Sequence, residues 1–318
     1  YTKKYYFTEY MQNNNFFTTI PCPLCGFEEY SVIYPGTFPE ALDQEFLKNV
    51  YCSSSEHSLF EQVVECNKCQ LVYLNPRLQE NLIVDSYAEG EDLTFILQDA
   101  MRIRTFRKSL RKILDMFSIV SDKKKVLDVG CAGGAFLRAA EMEGLQATGI
   151  EPSKWLGEYG RREHGLDIRT GVLEGQDFPE KSFDIVTMWD VIEHVPNPNR
   201  DLKHIHSLLK DEGIFIVNYP DFGSFPAKFF GRRWPFLLSV HLVYYTPSTI
   251  KKQLALAGFQ ITDLKKHWQI LELGYTLRRA GQYFVFFRWL EKIVVACGME
   301  KVPIMYWIGQ TQVIAKKC

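Results

Sequence analysis

Short apolar segments alternate with amphipathic helical segments over the second half of the chain. The predicted strands are, in order, 125–129, 147–151, 167–170, 183–189, 213–219, 259–265 and 311–316. The predicted helices between them are 133–143, 153–164, 201–210 and 247–257. Strands that alternate with helices through short loops predict an α/β fold with a doubly wound, parallel sheet.

The first part of the chain follows a different pattern. Residues 1–80 are rich in Asn, Tyr, Phe and Cys and lack a long helical period, so we predict a small separate module there. Residues 81–123 carry apolar residues at helical spacing and predict a helical linker into the α/β domain of residues 124–318. That domain contains an aromatic segment, 221–246, and a predicted helical insertion, 272–300.

Composition and charge narrow the classes of protein. The 318 residues are 46% hydrophobic and 24% charged, which is typical of globular proteins. The 37 basic and 38 acidic residues give a net charge of −1, which argues against a non-specific grip on nucleic acid. Neither an apolar run long enough to span a bilayer nor a signal-peptide pattern stands out, so we expect a cytoplasmic protein.

Two Cys-x-x-Cys pairs lie within residues 1–80, and they consist of Cys22, Cys25, Cys66 and Cys69. In a chain without an export pattern, such pairs indicate a metal site before disulfides. Four thiolates in two knuckles predict a closed, structural zinc site that stabilises a module with a small core. Gly26 permits a tight turn after the first pair, and Gln70 stands at the matching position of the second. Cys52 and His57 are alternative ligands, and an iron–sulfur cluster is a lesser option.

A turn of small residues follows the first predicted strand, with the sequence DVGCAGG. Small residues allow a ligand to approach the backbone, and the next helix offers free N–H groups. A dinucleotide site would also fit this turn. However, the carboxylate of Asp128 would repel a pyrophosphate and attract an ammonium group. Glu151, at the end of the next strand, is placed to accept hydrogen bonds from ribose hydroxyls.

Several segments together resemble class I S-adenosylmethionine (SAM)-dependent methyltransferases. DVGCAGGAF and TGIEPS resemble the first two motifs of that family. SFDIVTMWDVIEHVPNP and HLVYYTPSTIKKQLALAGF resemble the branch of ubiquinone-type O-methyltransferases and cell-surface sugar methyltransferases. The resemblance covers residues 124–316 and implies a Rossmann-like, seven-stranded sheet that binds SAM. Cys-x-x-Cys modules precede the methyltransferase domain in sugar-modifying enzymes and also in one kind of ribosomal-RNA methyltransferase. The module therefore does not identify the methyl acceptor.

The resemblance implies contacts between particular residues and SAM. Asp128 would orient the amino group through the turn, Glu151 would hold the ribose hydroxyls, and Trp189 would lie beneath the methyl group. The full set of implied cofactor-binding residues is Asp128, Gly130, Cys131, Ala132, Gly133, Phe136, Glu151, Pro152, Val172, Leu173, Glu174 and Trp189.

Asp190, Glu193 and His194 follow the fourth strand of the resemblance and are the main catalytic candidates. If a helical turn starts at Asp190, the three side chains share one face. His194 could then act as a general base that Glu193 or Asp190 orients. Alternatively, the three could bind a divalent cation, as in similar O-methyltransferases that use Glu-x-x-Glu-His, or they could only pack the loop. His241, in the aromatic segment that would form a substrate lid, is a second acid/base candidate.

The fourth strand does not end in the Asn/Asp-Pro-Pro-aromatic motif that receives amino groups in similar methyltransferases. The sequence Asn218-Tyr219-Pro220-Asp221 follows the fifth strand instead. We therefore expect O- or C-methylation of a small molecule or sugar, such as a nucleotide sugar or a polysaccharide or glycolipid unit, in polysaccharide biosynthesis. The alternatives are an RNA methyltransferase whose zinc module holds RNA, and an inert SAM-binding subunit.

Residues 275–297 carry an apolar face together with Arg278, Arg279, Arg288 and Lys292. This segment could pack on the domain or on a second copy in a homodimer. It could also lie on a membrane surface, because basic and aromatic side chains suit that interface. A small-molecule or sugar acceptor is the expected partner, and nucleic acid is not.

Overall fold

The computed structural model describes residues 16–37, 46, 50–51, 59–89, 96–120 and 122–318, without the side chain of Tyr283. The strands are β1 (Phe17–Thr18), β2 (Tyr30–Tyr34), β3 (Val63–Cys66), β4 (Val72–Leu74), β5 (Arg77–Leu78), β6 (Lys125–Val129), β7 (Gln146–Glu151), β8 (Asp167–Thr170), β9 (Phe183–Trp189), β10 (Leu209–Pro220), β11 (Val243–Tyr244), β12 (Phe259–Lys266), β13 (Gln269–Glu272), β14 (Pro303–Tyr306) and β15 (Gln310–Lys317).

The helices are α1 (Glu80–Glu89), α2 (Asp99–Met116), α3 (Ala135–Met142), α4 (Lys154–His164), α5 (Pro198–Leu208), α6 (Phe225–Phe230), α7 (Pro247–Leu256), α8 (Leu273–Tyr283) and α9 (Val285–Ala296). Short 3-10 turns cover Leu173–Gly175, Ile192–His194 and Gly231–Arg233. No helix among the described residues is long and apolar enough to cross a bilayer.

The central sheet has seven strands in the order β12-β15-β10-β9-β6-β7-β8. The strands β6 to β10 run parallel, and β15 runs antiparallel between β10 and β12. Helices cover the sheet, so the central strands are buried and read as nearly continuous apolar runs. This is the seven-stranded sheet of class I methyltransferases, and the predicted fold is confirmed.

Local backbone chemistry explains where the elements begin. The predicted helix at 133–143 starts only at Ala135, because Gly134 precedes it with a φ of +86°, outside the helical region. Ser153 caps α4 by accepting a hydrogen bond from the Leu156 N–H at 3.2 Å, and Gly165 ends that helix at a φ of +66°. The predicted helix at 201–210 starts earlier, because Asn197 caps it and Pro198 fits its first turn.

The N-terminal residues form a second sheet that is completed by a strand from the α/β domain. Its order is β11-β4-β3-β2, and β11 comes from the aromatic segment after β10. The Leu74 N–H donates to the Leu242 carbonyl at 3.0 Å, and the Leu242 N–H donates to the Glu193 carbonyl at 2.8 Å. The cysteine-bearing unit therefore shares a sheet with the segment that walls the candidate site.

A buried carboxyl group makes a second tie between the two units. Glu61 has no solvent exposure and accepts a hydrogen bond from the Ser239 hydroxyl at 2.6 Å. The Tyr51 hydroxyl donates to its other oxygen. Burial raises the pKa of Glu61, and the hydrogen bonds from the two hydroxyl groups and from the backbone oppose this shift.

The predicted insertion at 272–300 is a helical hairpin mounted on a two-stranded sheet. β13 pairs with β14, and α8 and α9 lie between them in sequence. α8 turns toward the centre of the domain, whereas α9 has no buried residue.

Candidate active site

A cavity of about 460 Å³ opens at the carboxyl ends of β6, β7 and β9. Ligands bind at this edge in open α/β sheets, because the loops that leave parallel strands meet there. Residues from α1, α2, the aromatic segment and the insertion close the other walls. The predicted site residues that line the cavity are Gly130, Ala132, Glu151, Pro152, Val172, Leu173, Trp189, Asp190, Glu193, His194 and His241.

The turn after β6 presents its backbone to the cavity. Gly130 and Ala132 have positive φ angles of +74° and +48°. The N–H groups of Gly130 and Cys131 both donate to the Ile150 carbonyl, at 2.8 and 3.0 Å. A side chain at position 130 would place its Cβ 2.6 Å from Val191, which also lines the cavity. Glycine is required at position 130 by both conformation and space.

Glu151 links the turn to the next strand end. One carboxylate oxygen accepts from the Ala132 N–H at 2.7 Å, and the other accepts from the Ser153 N–H at 2.8 Å. Burial raises the pKa of this carboxyl to about 7. Each oxygen keeps further lone pairs, so the carboxylate can also accept hydrogen bonds from a ligand in the cavity.

Asp128 lies behind the cavity wall. Its carboxyl accepts a hydrogen bond from the Thr187 hydroxyl at 2.6 Å, which ties β6 to β9. Burial, with the nearby charge of Glu151, raises the pKa of Asp128 to about 8. The predicted action on a SAM amino group through the turn stays a prediction, and any such effect would run through the backbone.

Four other predicted cofactor residues also lie outside the cavity lining. Cys131 directs its sulfur toward Gly149 of β7, and Gly133 packs against Tyr159. Phe136 supports Trp189 from behind, with 5.4 Å between ring centroids. Glu174 turns outward on the 3-10 turn and pairs with Arg200 at 3.0 Å. The predicted adenine contact of Glu174 therefore does not fit this geometry, whereas Val172 and Leu173 face the cavity.

Aromatic rings form one wall at the end of β9. Trp189 packs against Phe106 at 5.1 Å and His267 at 5.3 Å between centroids. Its indole N–H is buried and has no hydrogen-bond partner among the described residues. An unsatisfied buried donor beside a cavity is a position where a ligand atom can accept.

Asp190 is held in an uncommon backbone conformation. Its φ is +55°, and its N–H donates to the Asn218 side-chain oxygen at 2.7 Å. Its carboxylate accepts from the Asn218 amide at 2.8 Å and from the Gln310 amide at 2.7 Å. The condition under which Asp190, Glu193 and His194 would share one face is not met, because the 3-10 turn covers only Ile192–His194 and does not start at Asp190.

Glu193, His194 and His241 meet at the other end of the cavity. One ligand atom of each lies within 4.8 Å of those of the other two. The predicted cation set of Asp190, Glu193 and His194 is not brought together, since Asp190 is absent from this group and bonds to Asn218 and Gln310. His241 takes the place that the sequence assigned to Asp190.

The two imidazoles are oriented in the same way. Nδ1 of His194 lies 2.9 Å from the Val240 carbonyl and 2.6 Å from the Tyr87 hydroxyl. Nδ1 of His241 lies 2.7 Å from the Phe236 carbonyl. Because a carbonyl oxygen only accepts, each Nδ1 is assigned the proton and each Nε2 keeps its lone pair.

Burial favours the uncharged forms of the three side chains in this cluster. It lowers the pKa of His194 to about 4 and lowers the pKa of His241 well below its ordinary value. Burial, followed by the nearby charge of Asp190, raises the pKa of Glu193 well above its ordinary value. Both carboxyl oxygens of Glu193 are buried without a hydrogen-bond partner among the described residues. Burial thus favours the neutral forms of the two imidazoles and the protonated form of the carboxyl group beside them.

Sequence reasoning missed several residues at this cavity, namely Tyr87, Gln98, Arg102, Asn218, His267, Tyr275, Arg279, Tyr306 and Gln310. Most come from α1, α2, the insertion and β15, far from the motifs in sequence. Asn218 was noticed only as part of a sequence that stands at the wrong place for amino methylation. No local pattern signalled that it would hold Asp190.

The four cysteines of the two pairs converge as predicted. Their sulfur atoms all lie within 4.8 Å of one another, with Cys22 to Cys69 at 3.5 Å and Cys25 to Cys66 at 3.6 Å. A tetrahedron with Zn–S bonds of about 2.3 Å has sulfur separations of about 3.8 Å, so the donor set fits zinc. Cys52 and His57, the alternative ligands, lie outside the described residues.

The two cysteine knuckles have matching backbones. Gly26 has a φ of +71°, and its N–H donates to the Cys22 carbonyl at 2.8 Å. Gln70 has a φ of +66°, and its N–H donates to the Cys66 carbonyl at 3.0 Å. Gln70 thus adopts the left-handed conformation that the sequence comparison with Gly26 suggests, although the conformation disfavours a side chain.

Known proteins share this domain. Ubiquinone biosynthesis O-methyltransferase of Pseudomonas syringae pv. tomato is 32% identical over 96 residues, which are 28% of this chain and 41% of that protein. The Actinobacillus pleuropneumoniae serotype 5b protein of the same name is 35% identical over 105 residues, or 30% of this chain and 45% of that protein. The chain thus spans less than half the length of these curated relatives.

Solved structures show weaker likeness. A SAM-dependent methyltransferase from Archaeoglobus fulgidus is 19% identical, with a TM-score of 0.47 over 71% of this chain and 100% of that chain. A SAM-dependent methyltransferase from Thermotoga maritima is 17% identical, with a TM-score of 0.46 over 69% and 91%.

A family model described as "Methyltransferase domain" matches residues 101–264, just over half of the chain. The match includes the glycine-rich turn, Glu151, and the cluster of Glu193, His194 and His241. The chain therefore belongs to the methyltransferase-domain family.

Proposed function

We propose that this protein transfers the methyl group of SAM to an oxygen or carbon atom of a small molecule or sugar. The observation that carries the proposal is the layout of the cavity. The turn at Gly130 and the carboxylate of Glu151 lie at one end, and the imidazoles of His194 and His241 lie at the other. Trp189 lines the wall at the carboxyl end of β9.

The cofactor end suits SAM. A volume of about 460 Å³ lies in the range of small-ligand sites. Glu151 would accept from ribose hydroxyls, and Val172 and Leu173 would border the adenine. When bound, SAM supplies an electrophilic methyl group on a positively charged sulfur. Asp99, one turn before Arg102 on α2, lies near Gly133, which favours Arg102 as the partner of the methionine carboxylate.

The other end suits proton transfer. The Nε2 atoms of His194 and His241 carry lone pairs, because their Nδ1 atoms donate to carbonyl oxygens. A neutral imidazole within reach of an acceptor hydroxyl can take its proton as the oxygen attacks. His194 is the favoured base, since the Tyr87 hydroxyl, 2.6 Å from its Nδ1, can stabilise the charge that develops on the ring.

The side of the cavity that the insertion supplies is basic and rich in hydroxyl groups. Arg279 and Tyr275 of α8 line the cavity together with Tyr306 of β14. Arginine beside tyrosine suits an acceptor with an anionic group, such as the diphosphate of a nucleotide sugar. The relatives named above are O-methyltransferases, which supports oxygen as the attacking atom.

The four-cysteine cluster is the proposed structural zinc site. Asn199 of α5 donates to the Pro23 carbonyl at 2.7 Å, and Lys252 of α7 donates to the Cys69 carbonyl at 3.1 Å. Both knuckles are thus bonded to helices of the methyltransferase domain. Zinc here would stabilise the unit that supplies β3 and β4, and through β11 it would stabilise the wall that carries His241.

The first prediction concerns Glu151. Glu151→Gln should weaken SAM binding about 10- to 100-fold in titration calorimetry, because hydrogen bonds to a charged group are worth about 1.5–3 kcal/mol. Glu174→Gln is the matched control and should leave the affinity unchanged, since that carboxylate faces Arg200 outside the cavity. Equal affinities for the wild type and Glu151→Gln would remove the cofactor assignment.

The second prediction is the protonation of His194. Its ring nitrogens, followed by NMR, should titrate with a midpoint near pH 4, because burial lowers the pKa to about 4 from 6.5. Below pH 6.5 the unfolded chain binds a proton that the folded chain does not, so His194 makes stability fall as the pH drops from 6.5 toward 4. In urea-unfolded protein the midpoint should return to about 6.5. A folded midpoint near 6.5 would contradict the burial of this ring.

The third prediction tests the reaction. The wild type should transfer label from methyl-labelled SAM into a host-cell extract, and the label should enter small molecules or glycans retained by an anion-exchange resin. His194→Gln should lower the transfer rate at least about 100-fold, which is the usual contribution of a general base, without changing SAM affinity. His204→Gln, on α5 and away from the cavity, is the control.

Two results would count against that proposal. Label found in RNA would replace the small-molecule or sugar acceptor with a nucleic-acid acceptor. An unchanged rate for His194→Gln would remove the base assignment and leave this ring a structural part of the wall.

The fourth prediction concerns the metal. Elemental analysis should find about one zinc ion per chain. Cys66→Ser should lose the ion and lower the unfolding temperature by about 5–10 °C, since each kcal/mol is worth about 2–4 °C for a domain of this size. Cys297→Ser, an exposed cysteine outside the cluster, should change neither value. The zinc site would be refuted if the wild type, as purified, contained no zinc and Cys66→Ser left the unfolding temperature unchanged.

A further inference from the structure

We infer that an exposed ridge of aromatic side chains docks this protein onto the surface of an anionic lipid bilayer. The ridge runs from α6 to α9 and consists of Phe225, Phe229, Phe230, Phe284, Phe286, Phe287 and Trp289. The inference concerns where the protein sits, and it holds whether or not the proposed methyl transfer is correct.

The rings of the ridge touch one another in an unbroken series. Ring centroids are 5.7 Å apart from Phe225 to Phe229 and 5.2 Å from Phe229 to Phe230. The series crosses to the insertion through Phe230 and Phe284 at 6.0 Å. It continues through Phe287 and Phe286 to Trp289, with spacings of 6.2, 5.8 and 6.1 Å. Two segments that are far apart in sequence thus build one surface.

This surface is open to solvent. Phe225 is 73% exposed, Phe229 70%, Phe286 60% and Trp289 59%. α9, which carries part of the ridge, has no buried residue at all. Large contiguous apolar patches are rare on proteins that stay in water, and they mark binding surfaces.

The charge around the ridge differs from that of the whole chain. Residues 225–234 and 273–297 contain seven basic side chains and one acidic side chain, whereas the chain has 37 and 38. The single acid, Glu291, pairs with Arg278 at 2.9 Å. Lys228, Arg288 and Lys292 are exposed beside the rings. The patch is therefore both apolar and cationic, which complements anionic lipid headgroups.

The arrangement on α9 favours a lipid surface over a second copy of the chain. Val285, Trp289 and Ile293 are spaced by four residues and share one exposed face. Arg288 and Lys292 flank that face at positions adjacent on the helix. Basic side chains beside an apolar face can reach headgroups while the rings enter the interface, whereas charged residues are depleted at the core of protein interfaces.

Docking through the ridge would orient the cavity relative to the bilayer surface. α8, which precedes α9, carries Tyr275 and Arg279 in the cavity wall. Pro235 and Phe236, just after the α6 segment, also line the cavity. Both elements that support the ridge are thus walls of the cavity, so the bilayer would lie next to the side of the cavity that the insertion supplies.

The test is vesicle flotation of the full chain with phosphatidylcholine vesicles, with and without phosphatidylglycerol. We expect the wild type to float with the anionic vesicles and to detach as salt rises. Phe286→Ser with Trp289→Ser should lower the partition coefficient at least about tenfold. Arg288→Gln with Lys292→Gln should weaken binding to the anionic vesicles only. Val120→Ser, a 75% exposed apolar residue just before β6 at the opposite edge of the sheet, is the matched control.

Each variant must keep the circular dichroism spectrum and the SAM affinity of the wild type, so that a change in vesicle binding is assigned to the substituted side chains. Tryptophan fluorescence gives a second readout, which needs no variant that loses binding. Brominated lipids should quench part of the fluorescence of the wild type, and they should quench less of it in Trp289→Phe. Failure of the wild type to bind either vesicle would overturn the inference. A second result would also overturn the inference. In that result the wild type is a dimer, Phe286→Ser with Trp289→Ser converts it to a monomer, and neither form binds vesicles.

Discussion

The backbone of Leu242 joins the three parts on which the candidate site depends. Its N–H donates to the Glu193 carbonyl at 2.8 Å, and its carbonyl accepts from the Leu74 N–H at 3.0 Å. Leu242 is fully buried and follows His241 directly. The loop that carries Glu193 and His194, the segment that carries His241, and the cysteine-bearing sheet are thus fixed relative to one another. A proposed zinc site outside the cavity lining would act on the chemistry by holding this wall, and it needs no contact with substrate.

The second constraint is the burial of acidic groups at the candidate site, because it affects which ligand charge the site can bind. Burial raises the pKa of Asp128 to about 8 and of Glu151 to about 7, and it raises the pKa of Glu193 well above its ordinary value. A cation in the cavity favours the ionised forms of such groups and would lower these pKa values. SAM carries an ammonium and a sulfonium group, so a site with several desolvated carboxyl groups suits it.

The sequence alone was sufficient to predict those parts of the fold and the candidate site that depend on local backbone chemistry. The positions of the strands along the chain, the glycine turn and the cysteine knuckles follow from alternating patterns and from residues close in sequence, whereas the seven-stranded sheet was implied by the resemblance to class I methyltransferases. The failures have local causes too. Glu174 lies on a 3-10 turn after β8 and pairs with Arg200, and Asp190 lies off any helical face because its φ is positive. Tyr87 and Gln310 could not be predicted, since their roles arise only when distant segments meet at one edge of the sheet.

The insertion contributes both to the cavity of the proposed methyl transfer and to the ridge of the proposed membrane docking. α8 presents Arg279 and Tyr275 to the cavity, while α9, joined to it through Phe284, presents rings and basic side chains to the outside. An acceptor with an anionic headgroup and a lipid tail would match both faces, because its headgroup could reach the arginine while its tail stayed in the bilayer. A free nucleotide sugar would use only the inner face and would leave the ridge without a role in catalysis. Membrane docking therefore favours the lipid-linked members of the proposed acceptor class over the free ones, on grounds independent of the methyl-transfer chemistry.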